Sequence, residues 1–159
     1  MIATIPYEPG TFAGDFSDDE MKDFETYIAQ QVPAFQFDLA YVGHIKSFHG
    51  GVPVNKRLTT ISGKEQRIER FLNFLDTSAN HNQKLSVYNA NVVWSNIEDR
   101  LGLYLIPFAE LSGGDKLCFD ISDPKNHKIV CWFHELSEGD LPYTEVVTNN
   151  FVDFLKLLC

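Results

Sequence analysis

Residues 104–135 read YLIPFAELSGGDKLCFDISDPKNHKIVCWFHE, and this stretch decides the fold. Three short apolar runs, at residues 104–109, 116–121 and 128–134, are separated by turn-forming residues at 112–115 and 123–127. Short β-branched and aromatic runs between such turns are typical of consecutive antiparallel strands. Runs that are apolar at successive positions indicate strands covered on both faces. The stretch therefore predicts an antiparallel meander at the centre of a sheet.

The turns of this meander contain residues with specific backbone roles. Gly113 and Gly114 allow the positive φ angles that a tight hairpin requires, and Asp115 can accept a backbone hydrogen bond within the same turn. Pro107 has no N–H to donate to a neighbouring strand. Residues 104–109 are therefore expected to form either an edge strand or a bulged strand.

Helical patterns lie on both sides of the meander. The clearest one starts at Ser17, which has the capping-box spacing to Glu20, and it ends before Pro33. Phe16 and Met21 have the spacing of a hydrophobic staple. Three further helices are predicted, over about residues 35–48 before Gly50 and Gly51, from a cap at Ser86 to Gly102, and over residues 151–158 after Asn150.

The remaining segments complete a plan with one domain. Residues 57–61 predict a strand, residues 68–75 fit a helix or a strand, and residues 76–83 predict a polar loop. Residues 1–16 form a loop-like lead-in. The order of helices, strands, one helix, strands and a helix predicts a single α+β domain over residues 1–159. Its central, mostly antiparallel sheet is expected to be flanked by about four helices.

The chain is acidic, with a formal net charge of −9. Residues 1–60 have eight acids against four bases, residues 61–100 have five of each, and residues 101–159 have nine against four. Nucleic-acid binding requires clustered Lys and Arg, so this balance argues against it. A basic protein partner is compatible with the charge, and so is a surface that serves only solubility.

The three cysteines and the chain start predict a cytoplasmic protein. Cys118 and Cys131 fall within strand patterns and Cys159 is the last residue, an odd count that does not suggest a disulfide framework. The first residues have neither the basic nor the long apolar part of a signal peptide. No apolar run reaches the ~18 residues of a membrane span.

Two catalytic or metal-binding arrangements can be imagined, and the pattern favours neither. Cys131 and His134 form a C-x-x-H pair, which is the spacing of one half of a zinc site. Residues three apart on a strand, however, point to opposite faces. A thiol hydrolase could use Cys118, His134 and Asp120, although no nucleophile motif surrounds the cysteine. We therefore predict no metal, no cofactor and no catalysis.

Four segments, in order, resemble the SUKH superfamily. The first is residues 33–53, where Gly50-Gly51-Val52-Pro53 is similar to the family's Asn-Gly-Gly-x-Pro turn with His49 in place of Asn. Residues 68–75 match the family's next strand, which favours a strand there. The third block combines IPFA at 106–109, GGD at 113–115, CFD at 118–120 and the strand at 128–135. Residues 149–158 are similar to the closing helix.

This resemblance implies a fold and a class of function. The superfamily includes fungal regulators of cell-wall synthesis and bacterial immunity proteins that neutralise toxins, often nucleases. The implied function is non-enzymatic binding of a basic toxin domain whose cleft is covered. Residues expected to have structural roles are Gly50, Gly51, Pro53, Pro107, Gly113, Gly114 and Asp115.

The acidic loop after the meander is the best candidate for contacting such a partner. The predicted partner-binding residues are Trp132, His134, Glu135, Glu138, Asp140 and Glu145, with Trp132 and His134 expected on one strand face. Asp18, Asp19 and Asp23 form a second acidic patch. Three alternatives stay open at this point: a regulatory or scaffold protein of the same fold, a small thiol hydrolase, and a sheet pocket for a small ligand.

Overall fold

In the part of the chain that the structure describes, six antiparallel strands form one sheet whose order, β1-β2-β3-β4-β5-β6, follows the sequence. The structure is a computed structural model that describes residues 4–76, 78 and 83–159. The strands are β1 Arg57–Thr59, β2 Glu65–Phe71, β3 Leu105–Leu111, β4 Lys116–Asp120, β5 Lys128–Trp132 and β6 Thr144–Thr148. The helices are α1 Asp18–Gln31, α2 Leu39–Ser47, α3 Gln83–Ser86, α4 Ala90–Leu101 and α5 Phe151–Leu157. The predicted α+β class is confirmed, with one single-turn helix more than expected.

The predicted meander is the β3–β4–β5 part of this sheet. Leu105 pairs with Asp120 across the first hairpin, and Leu117 pairs with Cys131 across the second. The first hairpin turns through Ser112–Gly114, where Gly113 has φ 84° and Gly114 has φ 94°. Both glycines therefore adopt the left-handed backbone that other residues rarely reach.

Pro107 lies on a central strand, so the edge-strand alternative is wrong and the bulge alternative is confirmed. β3 pairs with β2 on one side and β4 on the other. Pro107 is opposite Cys118 and Ala109 is opposite Leu117, so Phe108 is an extra residue in the register with β4. The bulge accommodates a residue that cannot donate to the ladder.

Helix α1 begins as predicted. The Glu20 backbone N–H donates to Ser17 Oγ at 3.2 Å, which is half of a capping box. In a full capping box the Glu20 side chain would accept a hydrogen bond from the Ser17 N–H. Here the Ser17 N–H donates to the carbonyl of Phe74 at 3.0 Å instead. The helix ends at Gln31, and Val32 is extended before Pro33 as expected.

Helix α2 is shorter than predicted. Ala34 has φ 64°, and the helix starts only at Leu39 instead of Phe35. Phe35 and Phe37 precede it outside any helix or strand, and both pack into an aromatic core. The predicted helix start at about Phe35 is therefore wrong.

The start of helix α4 also differs from the prediction. Asn89, and not Ser86, caps the helix, with its Oδ1 accepting from the N–H groups of Asn91 and Val92 at 2.9 and 3.1 Å. Ser86 instead ends α3. The predicted end is confirmed at Gly102, with φ 68°. Of the predicted polar loop at 76–83, residues 77 and 79–82 lie outside the described residues.

The strands differ from their predicted bounds and number. Residues 68–75 contain the end of β2, which confirms the strand assignment, although β2 begins at Glu65 and ends at Phe71. β1 ends at Thr59 instead of Ile61. β6 was not predicted as a strand. Helix α5 is confirmed, and Asn150 Oδ1 accepts from the Asp153 N–H at 2.8 Å.

The Gly50-Gly51 turn packs too closely for side chains. Gly50 has φ 63°, and a Cβ there would lie 2.8 Å from the Cβ of Asn73. A Cβ at Gly51 would lie 2.8 Å from the Tyr7 ring. His49 fixes the turn because its Nδ1 lies 2.9 Å from the Gly14 carbonyl and its Nε2 accepts from the Phe74 N–H at 2.7 Å.

The β1–β2 hairpin bends so that its turn contacts the last strand, β6. The Ile61 N–H donates to the Val146 carbonyl at 2.8 Å, which connects the β1–β2 turn to β6. Aromatic rings fill the space between the sheet and helices α1, α2 and α5. Phe108 stacks on Phe119 with ring centroids 4.5 Å apart, and Tyr41 packs edge-on against Phe151 at 5.3 Å.

Candidate protein-binding surface

A well-anchored loop connects β5 to β6. A single 3-10 turn, His134–Leu136, follows β5, and the chain then reaches Thr144. We call residues 134–142 the acidic loop. Within it, Glu138 and Leu141 exchange two backbone hydrogen bonds of 3.1 and 2.8 Å. These bonds define the shape of the loop tip.

The side chains of Ser137 and Arg100 help to attach the acidic loop to the rest of the molecule. The Ser137 hydroxyl donates to the Phe133 carbonyl at 2.7 Å and accepts from the Tyr143 N–H at 2.9 Å. Arg100 of α4 donates to the carbonyl of His134 at 2.8 Å. Sequence reasoning missed Arg100, whose only signal was a basic residue in the last turn of a helix.

The outer side of the acidic loop combines carboxylates with apolar side chains. Glu135, Glu138 and Asp140 are exposed, and Leu136 and Leu141 are 50% and 70% exposed. Residues 134–145 contain no Lys or Arg. Three of the predicted partner-binding residues therefore lie together on one accessible and negatively charged surface.

His134 is held by a carboxylate from the neighbouring hairpin. Asp115 Oδ1 lies 2.6 Å from His134 Nδ1 and accepts from the His134 backbone N–H at 3.0 Å. Because a carboxylate only accepts, Nδ1 carries the proton in this contact. Gly114 lies against the ring, where a Cβ would be 3.4 Å from Cε1. The expectation that Asp115 serves its own turn is therefore corrected.

The His134 ring borders a shallow cleft of about 320 Å³. The cleft is lined by Gly113, Asp115, Phe133, His134, Glu135 and Leu136. His134 Nε2 lies 3.9 Å from Glu135 Oε1. The predicted shared strand face of Trp132 and His134 is wrong, because β5 ends at Trp132 and His134 lies in the turn.

Trp132 offers no surface to a partner. Its side chain is 1% exposed, and the Arg100 guanidinium lies 5.4 Å from the centre of its ring. The tryptophan thus supports the acidic loop from below. We leave it out of the candidate surface.

Glu145 lies beside the acidic loop in a polar network. Thr60 and Tyr143 donate to its carboxylate at 2.8 and 3.0 Å, Ser62 also donates to it, and Lys64 Nζ is 3.3 Å away. The Ser62 hydroxyl first, and then the other donors, lower the pKa of Glu145 to about 2. This carboxylate therefore fastens the β1–β2 turn to β6.

The imagined thiol hydrolase constellation is not assembled. Cys118 is fully buried, and burial raises its pKa well above the ordinary value. Asp120 lies five positions from Asp115, about 16 Å along an extended strand, so the carboxylate at His134 is Asp115 and not Asp120. Burial also raises the pKa of Cys131 to about 12. Neither buried thiol supplies a thiolate near neutral pH.

Two further features bear on possible sites. Within the described ranges, no group of three or more His, Cys, Asp and Glu side chains is arranged to hold a metal ion. No helix in the same part of the chain has the length and apolar character needed to span a membrane.

Two comparisons with known proteins give a match to this chain. The chain is 26% identical over 164 residues to the SPbeta prophage-derived uncharacterized protein YokK of Bacillus subtilis (strain 168), covering 93% of this chain and 77% of the relative. The comparison with solved structures gives no significant match. The family model described as SMI1-KNR4 cell-wall (SUKH_6) matches residues 18–155. The chain therefore belongs to the SMI1-KNR4 (SUKH) family.

Proposed function

We propose that this protein is a non-catalytic binding domain of the immunity type, which neutralises a basic toxin domain by covering its active cleft. The observation that carries the proposal is the acidic loop, where Glu135, Glu138 and Asp140 surround the exposed Leu136 and Leu141. Family membership supports it, because the superfamily includes immunity proteins.

The charge of the surface suits a basic partner. The three exposed carboxylates lie on a segment without Lys or Arg, so their potentials add. Complementary charge mainly increases the association rate and excludes acidic partners. The two leucines supply apolar area, which contributes affinity that salt does not screen.

The rigidity of the surface favours tight binding. Arg100, Ser137 and the Glu138–Leu141 hydrogen bonds hold the loop before any partner arrives. A loop that is ordered in the free protein loses less conformational entropy when it binds. We infer that the partner meets a preformed surface.

The proposal is tested by binding to a candidate toxin domain encoded beside the gene. We expect the affinity to weaken about tenfold or more between about 0.1 M and 1 M ionic strength, where the screening length falls from about 10 Å to about 3 Å. The triple variant Glu135→Gln, Glu138→Gln, Asp140→Asn should bind more weakly and lose most of this salt dependence.

A matched control removes the same number of charges elsewhere. Asp23→Asn, Glu65→Gln, Glu69→Gln changes three exposed carboxylates on α1 and β2. It should keep the affinity and most of the salt dependence of the unmodified protein. Equal loss in both triple variants would show that net charge, and not this surface, governs binding.

A regulatory or scaffold protein of the same fold is the second candidate. The description of the family model, which refers to the cell wall, favours it. This role keeps the binding surface and changes the partner. Identification of the bound protein separates the two, because an immunity protein binds a toxin domain whose activity it abolishes.

A further inference from the structure

A second depression lies beside the C-terminal end of α4, outside the acidic loop. Its volume is about 290 Å³, and it is lined by Leu101, Gly102, Leu103, Tyr104, Leu105, Asp120, Ser122, Pro142 and Thr144. We call it the α4 trough. The trough and the acidic loop adjoin, because a Cβ at Gly102 would lie 3.6 Å from Pro142 and 3.9 Å from the Asp140 carbonyl.

Large apolar side chains of the α4 trough face solvent. Leu103 and Tyr104 are 55% and 45% exposed. Their backbone is fixed, since the Tyr104 carbonyl accepts from the Ile121 N–H at 2.8 Å. A contiguous exposed apolar patch on a fixed backbone marks an interaction site far more often than single exposed residues do.

The electrostatics of the α4 trough favour a cation. The negative end of the α4 dipole points here, at Gly102. Asp120 lines the trough, and none of the lining residues is basic. Arg100 in the last turn is directed at the acidic loop instead, and Lys128 is the cross-strand partner of Asp120 on the neighbouring strand.

We propose that the α4 trough is an anchor site that receives a large apolar side chain adjacent to a lysine or arginine of a protein partner. The apolar side chain packs on Leu103, Tyr104 and Pro142, and the cation lies near Asp120 and the end of α4. Such anchors, seated in a pocket beside charged contacts, contribute a large share of binding energy at interfaces. The inference extends the proposed function by defining a second contact and its chemistry.

The first experiment uses the peptide acetyl-Phe-Arg-amide as a probe. Amide chemical shifts are followed by two-dimensional NMR as the peptide is titrated into the full chain. We expect shift changes concentrated at residues 102–105, 120–122 and 143–144, with a dissociation constant of about millimolar size, as a small ligand allows. Replacing the arginine of the probe by glutamate should weaken binding about tenfold or more, because the site is negatively charged.

Variants separate the α4 trough from the general surface. Leu103→Glu should abolish the localised shifts, and Asp120→Asn should reduce the preference for the arginine probe over the glutamate probe. The matched control is Leu39→Glu, which alters an equally apolar and 88% exposed residue at the start of α2. It should leave probe binding unchanged. Absent or scattered shifts, or loss of binding in both leucine variants, would overturn the proposal.

The outcomes also distinguish this inference from the proposed function. Probe binding at the α4 trough together with no toxin binding would leave the anchor site standing and remove the immunity role. Toxin binding that is lost in the acidic-loop triple variant but unaffected by Leu103→Glu would support the immunity role and remove the anchor site.

Discussion

At the scale of single residues, Glu145 links charge to folding. Its pKa is lowered to about 2 by the Ser62 hydroxyl and the neighbouring donors, against an ordinary value of 4.5. As the pH falls from about 4.5 toward 2, the unfolded chain takes up a proton that the folded protein does not. The free energy of unfolding should therefore decrease over this interval, as measured by urea denaturation at each pH.

The variant Glu145→Gln isolates this contribution. It should be less stable than the unmodified protein at pH 7 and should show a smaller loss of stability between about pH 4.5 and 2. Glu138→Gln, in the acidic loop, is the control and should retain the full pH dependence. If the free energy of unfolding of Glu145→Gln changed with pH as steeply as that of the unmodified protein, another group would be responsible.

His44 should titrate at an unusually low pH. Its Nε2 lies 2.6 Å from the Tyr7 hydroxyl, and burial lowers its pKa from 6.5 to about 4. Between these two values the unfolded chain binds a proton that the folded protein does not, so stability falls as the pH falls through this window. The full effect is about 3 kcal/mol.

Imidazole NMR titration tests this directly. The signal of His44, assigned with the variant His44→Gln, should have its midpoint near pH 4. A midpoint near 6.5 would mean that burial does not affect the ring.

At the scale of elements, the Gly50-Gly51 turn depends on close packing. Gly50 and Gly113 both have positive φ, but a Cβ at Gly50 would meet Asn73 and Ala13 within 2.9 Å, whereas a Cβ at Gly113 meets nothing within 4 Å. Both alanine variants incur the left-handed backbone penalty, and only Gly50→Ala also overpacks the core. Gly50→Ala should therefore cost about 1–3 kcal/mol more than Gly113→Ala in urea denaturation. If both variants lost the same free energy of unfolding, the Gly50-Gly51 turn would be able to shift and relieve the close contacts.

Elements defined by local chemistry were predictable from the sequence. The start of α1 at Ser17, the cap of α5 at Asn150 and the glycines of the β3–β4 turn each depend on residues within a few positions of one another. Such signals remain valid in the folded protein, because the same short-range contacts are made.

Elements that depend on contacts between distant residues were not predictable from the sequence. Phe37 has helical spacing to Tyr41 and Ile45, yet it lies before the start of α2 and packs into the aromatic core. Pro107 left an edge strand and a bulged strand both open, because the bulge appears only in the register with β4. β6 is short and half-buried, so its alternation is weak and its pairing with β5 defines it.

The candidate surface was predictable in composition but not in construction. The acidic residues at 135, 138 and 140 are visible in the sequence, and they are exposed in the structure. The residues that fix the loop come from distant elements: Arg100 from α4 and Asp115 from the β3–β4 hairpin. Spacing along one chain does not reveal which distant side chains will meet.

At the scale of the whole molecule, thiol reactivity should report the burial of the core. Cys159 is exposed, whereas Cys118 and Cys131 are buried in the sheet. A thiol reagent should modify Cys159 at once and the two others at least about a thousandfold more slowly, because they require large-scale opening. Mass spectrometry after short labelling measures both rates.

The control for this labelling is Cys159→Ser, which should remove the fast reaction and leave the slow one. Rapid modification of Cys118 would reveal an accessible thiol on β4. That result would reopen the hydrolase alternative.

The contact between the β1–β2 turn and β6 has a kinetic consequence. Each strand pairs with its neighbour in sequence, so every closure in the ladder is shorter than the 85 residues that separate Thr60 and Glu145. Long closures tend to form after the transition state of folding. We therefore expect Glu145→Gln to accelerate unfolding and to leave the refolding rate nearly unchanged in stopped-flow measurements. This contact would then determine how long the molecule stays folded more than how quickly it folds.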